Sequence, residues 1–216
     1  MTLDPADVRA SYDRVAKAYA ERFDDELDGK PLDRALLEFL PELAELDRRP
    51  GVVADLGSGP GQIGRHVGRA AGVPVVAVDL SPAMAALALG RHELPAVAGS
   101  LTSLPLATGS VGAAVAFYCF IHLDDDGLRA AAAELHRVLR PRGVAIVAIH
   151  TGDEIRHVET LVDTAVDLDF RFLPVATLEQ ALTDAGLTID AVLERTGVAG
   201  VEAETRRAYV VVRRPS

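Results

Sequence analysis

Val52-Val53-Ala54-Asp55-Leu56-Gly57-Ser58-Gly59-Pro60-Gly61 decides how the rest of the chain reads. It opens as a short apolar run rich in β-branched residues, the pattern of a strand buried on both faces. The run stops in three glycines and a proline. Without a Cβ, Gly57, Gly59 and Gly61 let the backbone turn sharply and approach a ligand closely. Residues 62–70 then read as a helix with Ile63 and Val67 on one face. Strand, glycine loop and helix form the first half of a nucleotide-binding βαβ unit.

The neighbouring residues narrow the ligand. A nicotinamide-type fingerprint, G-x-G-x-x-G, would put its third glycine at position 62, where Gln62 stands. Asp55 lies two residues before the loop. A carboxylate there repels a pyrophosphate and attracts a ligand carrying an ammonium and a sulfonium. Val75-Val76-Ala77-Val78-Asp79 is a second buried strand ending in an acid. Asp79 follows Gly57 by 22 residues, the spacing of an acid that binds ribose hydroxyls.

These residues resemble the class I S-adenosylmethionine-dependent methyltransferases. Asp55 to Gly61 is similar to that family's first motif and Val78-Asp79-Leu80-Ser81-Pro82-Ala83-Met84 to its second. The resemblance continues through Leu104-Pro105, Phe117-Tyr118, His122-Leu123 and Leu135 to Gly143, and covers roughly positions 8 to 150. It implies a Rossmann-like α/β fold: a doubly wound, mostly parallel seven-stranded sheet with an antiparallel edge hairpin and an N-terminal helical cap. It implies S-adenosylmethionine as cofactor, leaving S-adenosylhomocysteine, with methyl transfer to an oxygen or nitrogen of a small molecule. Carried over residue by residue, the cofactor set is Tyr12, Tyr19, Asp55, Gly57, Ser58, Gly59, Asp79, Leu80, Met84, Ser100, Leu101 and Phe117. The tyrosines come from an N-terminal segment that would lie over the cofactor and offer a hydroxyl to its carboxylate. Ser100 stands where the family often has aspartate, and Gly112 replaces another; the second loss reads as structural. A nicotinamide-dependent oxidoreductase and a non-catalytic cofactor-binding protein are the alternatives.

With 216 residues the chain fits one domain: a helical cap over 1–50, a cofactor-binding core over 51–150, and a substrate-side insertion with edge hairpin over 151–216. Its formal charge, 22 − 32 = −10, opposes binding to a nucleic-acid backbone. One cysteine, Cys119, excludes an internal disulfide and suits a reducing cytoplasm. No leader pattern opens the sequence, and no apolar run approaches the roughly 18 residues of a membrane span.

Along the chain, Asp4 should cap a helix carrying Val8, Tyr12, Val15, Ala16, Tyr19 and Phe23 on one stripe. Pro31 should open a second, Ser81 should cap a third that Gly90 ends, and Asp124 to Asp126 should cap the helix from Leu128 to Leu139. That capping role accounts for the three acids without a metal, and no histidine or cysteine spacing suits zinc. Thr151 to Glu154 should start a helix bearing Ile155, Val158, Leu161, Val162 and Ala165, with Asp153 and Glu154 on its dipole. Asp167 to Pro174 reads as an irregular substrate-contacting insertion. Thr177 to Gln180 has capping-box form, and residues 187–193 and 206–212 should make the edge hairpin. Of the six histidines, His122 and His150 follow the fourth and fifth strands, where open α/β sheets bind ligands. Both are candidate general bases. His66 and His136 fall in helices and His92 in a connection, and His157 is a lid candidate.

Overall fold

In the computed structural model, which describes residues 4–216, the strands form one sheet of seven and a separate ribbon of two. The chain enters through α1 (Pro5–Phe23), capped by Asp4 at Ala6 N, a short 3-10 turn (Glu26–Gly29), and α2 (Pro31–Leu43). The core follows as β1 (Val52–Leu56), α3 (Gln62–Ala71), β2 (Val75–Asp79), α4 (Pro82–His92), β3 (Ala96–Ala98), β4 (Val111–Phe117), α5 (Asp125–Val138) and β5 (Leu139–Thr151). Last come β6 (Ile155–Leu161), β7 (Thr164–Arg171), α6 (Val175–Asp184), β8 (Thr188–Thr196) and β9 (Arg206–Arg213).

The sheet order is β3-β2-β1-β4-β5-β9-β8. The first four pairings are parallel, and β9 runs antiparallel between β5 and β8. This is the expected doubly wound sheet with its antiparallel edge hairpin. All seven residues of β4 are buried, as a central parallel strand covered on both faces requires. Leu128, Leu135, Leu178 and Leu182 cover one face, and Leu37, Leu40, Ile63 and Val67 cover the other. A smaller apolar cluster joins Val8 and Val15 of α1 to Met84 of α4 and to Val166 and Leu168 of β7. Gly112 is structural: a Cβ there would stand 2.9 Å from Leu46 Cδ2. Strand order reverses between β1 and β4, and a ligand crevice opens at such a switch point.

Three local expectations are corrected. The segment after β5 is a hairpin, β6–β7, in place of a helix. Ile155, placed on the buried helical side, is 53% exposed, whereas Val166 and Leu168 alternate inward at strand period. Val162 and Asp163 have φ of 48° and 56°, the two left-handed positions of a tight hairpin turn. Asp153 and Glu154 therefore sit on no helix N-terminus, and Asp167 to Arg171 belong to an ordered strand. α4 passes Gly90, ends at His92 and turns on Glu93 at φ 57°, so His92 is helical. α6 opens at Val175 behind Pro174 with no side-chain cap, which leaves Thr177 inside its first turn. The caps at Ser81 (to Met84 N) and Asp124 (to Gly127 N) form as expected.

Candidate active site

A cavity runs across the C-terminal ends of β3, β2, β1 and β4, beneath α1. Every residue in the expected cofactor set lines it, from Tyr12 and Tyr19 through Asp55, Gly57, Ser58, Gly59, Asp79, Leu80 and Met84 to Ser100, Leu101 and Phe117. The glycine loop is built as its sequence requires. Gly57, Gly59 and Gly61 have φ of 65°, 53° and 93°, and the Gly57 amide is tied to Val78 O at 2.8 Å. At Gly57 the crowding partner is the protein itself: a Cβ would stand 2.3 Å from Cys119 Cβ.

Backbone amides orient two acids in the cavity wall. Asp79 Oδ2 accepts from Gly59 N at 2.7 Å and Oδ1 from Ser81 N at 2.8 Å. Each oxygen keeps a further lone pair, so the carboxylate can still accept two hydroxyls. Burial pushes its pKa up to about 6. Asp55 Oδ2 accepts from Gly64 N at 2.8 Å, and burial pushes its carboxyl up to about 7. Such a set of acceptors suits a cationic ligand bearing vicinal hydroxyls and opposes a pyrophosphate. The Ser100 hydroxyl is engaged locally, 2.8 Å from Thr102 Oγ1.

Tyr12 and His122 meet at the cavity. Tyr12 Oη lies 2.8 Å from His122 Nε2, and His122 Nδ1 lies 3.3 Å from the Asp169 carbonyl. A carbonyl only accepts, so Nδ1 carries the proton, Nε2 is the acceptor, and Tyr12 donates. Burial lowers His122 to about 4, holding it neutral. His150 does not line the cavity. Its Nδ1 is 2.9 Å from Thr205 Oγ1, and its ring lies between Phe172 (5.4 Å) and Tyr118 (4.8 Å). His157 is on β6, paired with Asp169 at 2.9 Å.

The cavity is also lined by groups the sequence did not assign to the site: Glu26 and Lys30, an i,i+4 charge pair, with Asp33, and Gln62 and Tyr118 from the motif segments. Tyr118 holds φ 58°, uncommon for an aromatic residue, and its amide bonds Ala148 O at 2.8 Å. Its hydroxyl is 3.1 Å from Tyr209 Oη, which donates to Asp33 at 2.7 Å.

A family model described as a methyltransferase domain matches residues 53–143, the stretch that builds β1 through the start of β5. The malonyl-acyl-carrier-protein O-methyltransferase of Pseudescherichia vulneris is 33% identical over 181 residues, 82% of this chain and 67% of that one. The chain belongs to the class I S-adenosylmethionine-dependent methyltransferases. The enzyme of the same description from Enterobacter lignolyticus is 33% identical over 191 residues, 84% of this chain and 69% of the relative. Among solved structures, the Burkholderia thailandensis 1,6-didemethyltoxoflavin-N1-methyltransferase shares the fold at 22% identity and a TM-score of 0.71, over 98% of this chain and 88% of that one. This methyltransferase therefore uses S-adenosylmethionine as cofactor, and the family favours methyl transfer over hydride transfer. None of the helices among its described residues is long and apolar enough to cross a membrane.

Proposed function

We propose that this enzyme, acting in the cytoplasm, methylates an oxygen or nitrogen of a small molecule, with the acceptor seated beyond Phe117 beside Tyr12, Tyr118 and His122. The observation that carries this reading is the roof. Tyr12 on α1 is hydrogen-bonded to His122 across the cavity, so the acceptor must fit under a helix. The net charge of −10 disfavours a nucleic-acid acceptor.

In this reading Asp79 takes the ribose hydroxyls, Leu80, Met84, Ser100 and Leu101 surround the adenine, and the loop from Gly57 to Gly59 follows the amino-acid part. Asp55 adds negative potential beneath the loop. Tyr19 offers its hydroxyl to the carboxylate. The Tyr12 hydrogen is already given to His122, so Tyr12 serves the acceptor side. When bound, the cofactor supplies a sulfonium-activated methyl. The protein holds a nucleophile in line with it and excludes water, and such positioning supplies about 7–11 kcal/mol.

An acceptor that must lose a proton passes it to Tyr12 Oη as Tyr12 gives its own proton to His122 Nε2. His150 braces Tyr118 from behind and handles no proton. Transfer of labelled methyl to a panel of alcohols, phenols, amines and carboxylates tests the reading. Because the two relatives are malonyl O-methyltransferases of a carrier protein, a carrier-bound malonyl thioester belongs on the panel. Turnover on a free small molecule is expected; label found only on carrier protein would overturn the small-molecule acceptor.

A further inference from the structure

We infer that the two tyrosine hydroxyls at the methyl-acceptor end of the cavity, Tyr12 and Tyr118, offer lone pairs and no hydrogens. The molecule methylated must then present an N–H or O–H to Tyr118 besides the one it loses, as an amino alcohol, a diamine or a diol does and a carboxylate does not. The inference rests on the acceptor placement proposed above and names the class of molecule that fits it. Tyr118 follows β4 directly, on the other side of β1 from Asp79 at the end of β2.

A count of protons along two buried chains carries the argument. Tyr209 Oη has one hydrogen and gives it to Asp33 Oδ1 at 2.7 Å. Arg195 holds the same carboxylate from the other side, Nη2 to Oδ2 at 2.7 Å, and its Nε donates to Tyr209 Oη at 2.8 Å. Tyr209 has no hydrogen left to give, so across their 3.1 Å contact Tyr118 is the donor. Only lone pairs remain on the Tyr118 oxygen. Tyr12 ends in the same state, because its hydrogen goes to His122 Nε2. Burial holds both phenols well above their ordinary pKa, so each keeps its proton and acts as a neutral oxygen.

The direction of the chain is held by burial. Asp33 is 1% exposed and Tyr209 fully buried, so turning the Tyr209 hydrogen toward Tyr118 would leave a buried carboxylate oxygen without its donor. The Tyr118 ring is packed on His150, itself stacked on Phe172. The two tyrosines then differ in what they do. At Tyr12 the nucleophile loses its proton as Tyr12 passes its own to His122, while the bond to the methyl carbon forms and the carbon–sulfur bond breaks. Behind Tyr118, protonating Asp33 would break its ion pair with Arg195, so the N–H or O–H bound there is recognised and keeps its hydrogen. The charges agree. Among the described residues the cavity is lined by four carboxyl groups, Glu26, Asp33, Asp55 and Asp79, and by one lysine, Lys30, which is joined to Glu26. An anionic acceptor is repelled there, and an ammonium or a neutral hydroxyl is not.

Labelled-methyl transfer to matched probes tests this. Each set keeps one nucleophile and varies its neighbour: catechol, 2-methoxyphenol and salicylate form one set, and 2-aminoethanol, 2-methoxyethylamine and glycine another. The first member should exceed the second in kcat/KM by about tenfold or more, and the third should be poorest. Tyr118→Phe should bring the first two within about threefold of each other, chiefly through KM, with S-adenosylhomocysteine still bound. Tyr209→Phe returns the hydrogen to Tyr118 and should raise the second member relative to the first, a change of preference that a loosened wall would not give. Neutron diffraction from deuterium-exchanged crystals of the wild type needs no variant, and should find the Tyr118 deuteron directed at Tyr209 Oη. A deuteron directed into the cavity, capped or carboxylate probes that match the first member, or a Tyr118→Phe that slows all three alike would overturn the inference. S-adenosylhomocysteine binding with no label on these probes or on the wider panel would overturn the small-molecule acceptor instead.

Discussion

Tyr12 Oη donates a 2.8 Å hydrogen bond to His122 Nε2, a contact between residues 110 positions apart that joins the roof of the cavity to its floor. The lone pair a general base would use is already occupied, so His122 can take a proton only as Tyr12 gives one up. The two side chains act as a unit for an acceptor that must be deprotonated. Tyr12→Phe and His122→Ala should each lower kcat by about 10²-fold or more on such an acceptor. S-adenosylhomocysteine affinity should change by less than about tenfold, or 1.4 kcal/mol. Because burial holds His122 near 4, the wild-type rate should show no histidine limb between about pH 6 and 9. Full turnover by either variant across that range would leave positioning as the whole mechanism.

Asp79 yields a prediction with a definite pH sign. Its two oxygens accept from Gly59 N and Ser81 N and have one further lone pair each for a ribose hydroxyl. Burial pushes its pKa up to about 6, so it is ionised at neutral pH and gains a proton as pH falls through that value. The added proton removes acceptor capacity, so S-adenosylhomocysteine should bind more weakly below about pH 6 than at 8. Asp79→Ala should weaken binding by about 1.5–3 kcal/mol at pH 8 and flatten this dependence. Calorimetry at both pH values checks it, and unchanged affinity in a folded variant removes Asp79 from the site.

The stretch from Val52 to Gly61 and its echo at Val75 to Asp79 were legible because they combine a period, a loop chemistry and a spacing, all local in sequence. The β6–β7 ribbon was not. Its apolar residues fit a helical period nearly as well as a strand period, and what decides between them is contact of Val166 and Leu168 with α1, far away in sequence. The remaining wall of the cavity was hidden for the same reason. Glu26 finds Gln62 across 36 positions and Asp33 finds Tyr209 across 176, and no window of sequence carries such pairings. His150 illustrates the converse. Its place at the end of a central strand was correct, but Tyr118 stands between it and the cavity.

Gly57 separates ligand approach from protein packing. At φ 65° an alanine would already cost about 1–2 kcal/mol for the left-handed conformation. Its Cβ would also lie 2.3 Å from Cys119 Cβ. Gly57→Ala should therefore lower the unfolding midpoint and weaken the cofactor. Gly57→Val should do more of both. Cys119→Gly introduced into Gly57→Ala should recover part of the thermal stability, whereas Cys119→Ala, which keeps the offending Cβ, should not. Equal rescue by both would put the decisive clash on Cys119 Sγ, which would stand 2.8 Å from the added Cβ.

Ser11 ties the roof to the ribbon. Its hydroxyl is fully buried, donates to Asp167 O at 3.2 Å and accepts from Asp167 N at 3.1 Å, so one side chain satisfies both backbone groups of a residue in β7. The same ribbon supplies the Asp169 carbonyl that fixes the His122 tautomer. Ser11→Ala would leave a part-buried amide and carbonyl without this partner, at a cost of about 1–3 kcal/mol for an unsatisfied buried group. With α1 acting as a lid over the cavity, part of that cost would fall on its closed position alone, because the contact joins α1 to β7 and does not involve the seven-stranded sheet. S-adenosylhomocysteine should dissociate faster from Ser11→Ala, with its association rate little changed. Stopped-flow displacement would measure both rates. Because lids commonly limit product release, kcat could rise while the apparent affinity falls. A variant with wild-type dissociation kinetics would show that α1 stays closed without the Ser11 tether and that exchange proceeds by another route.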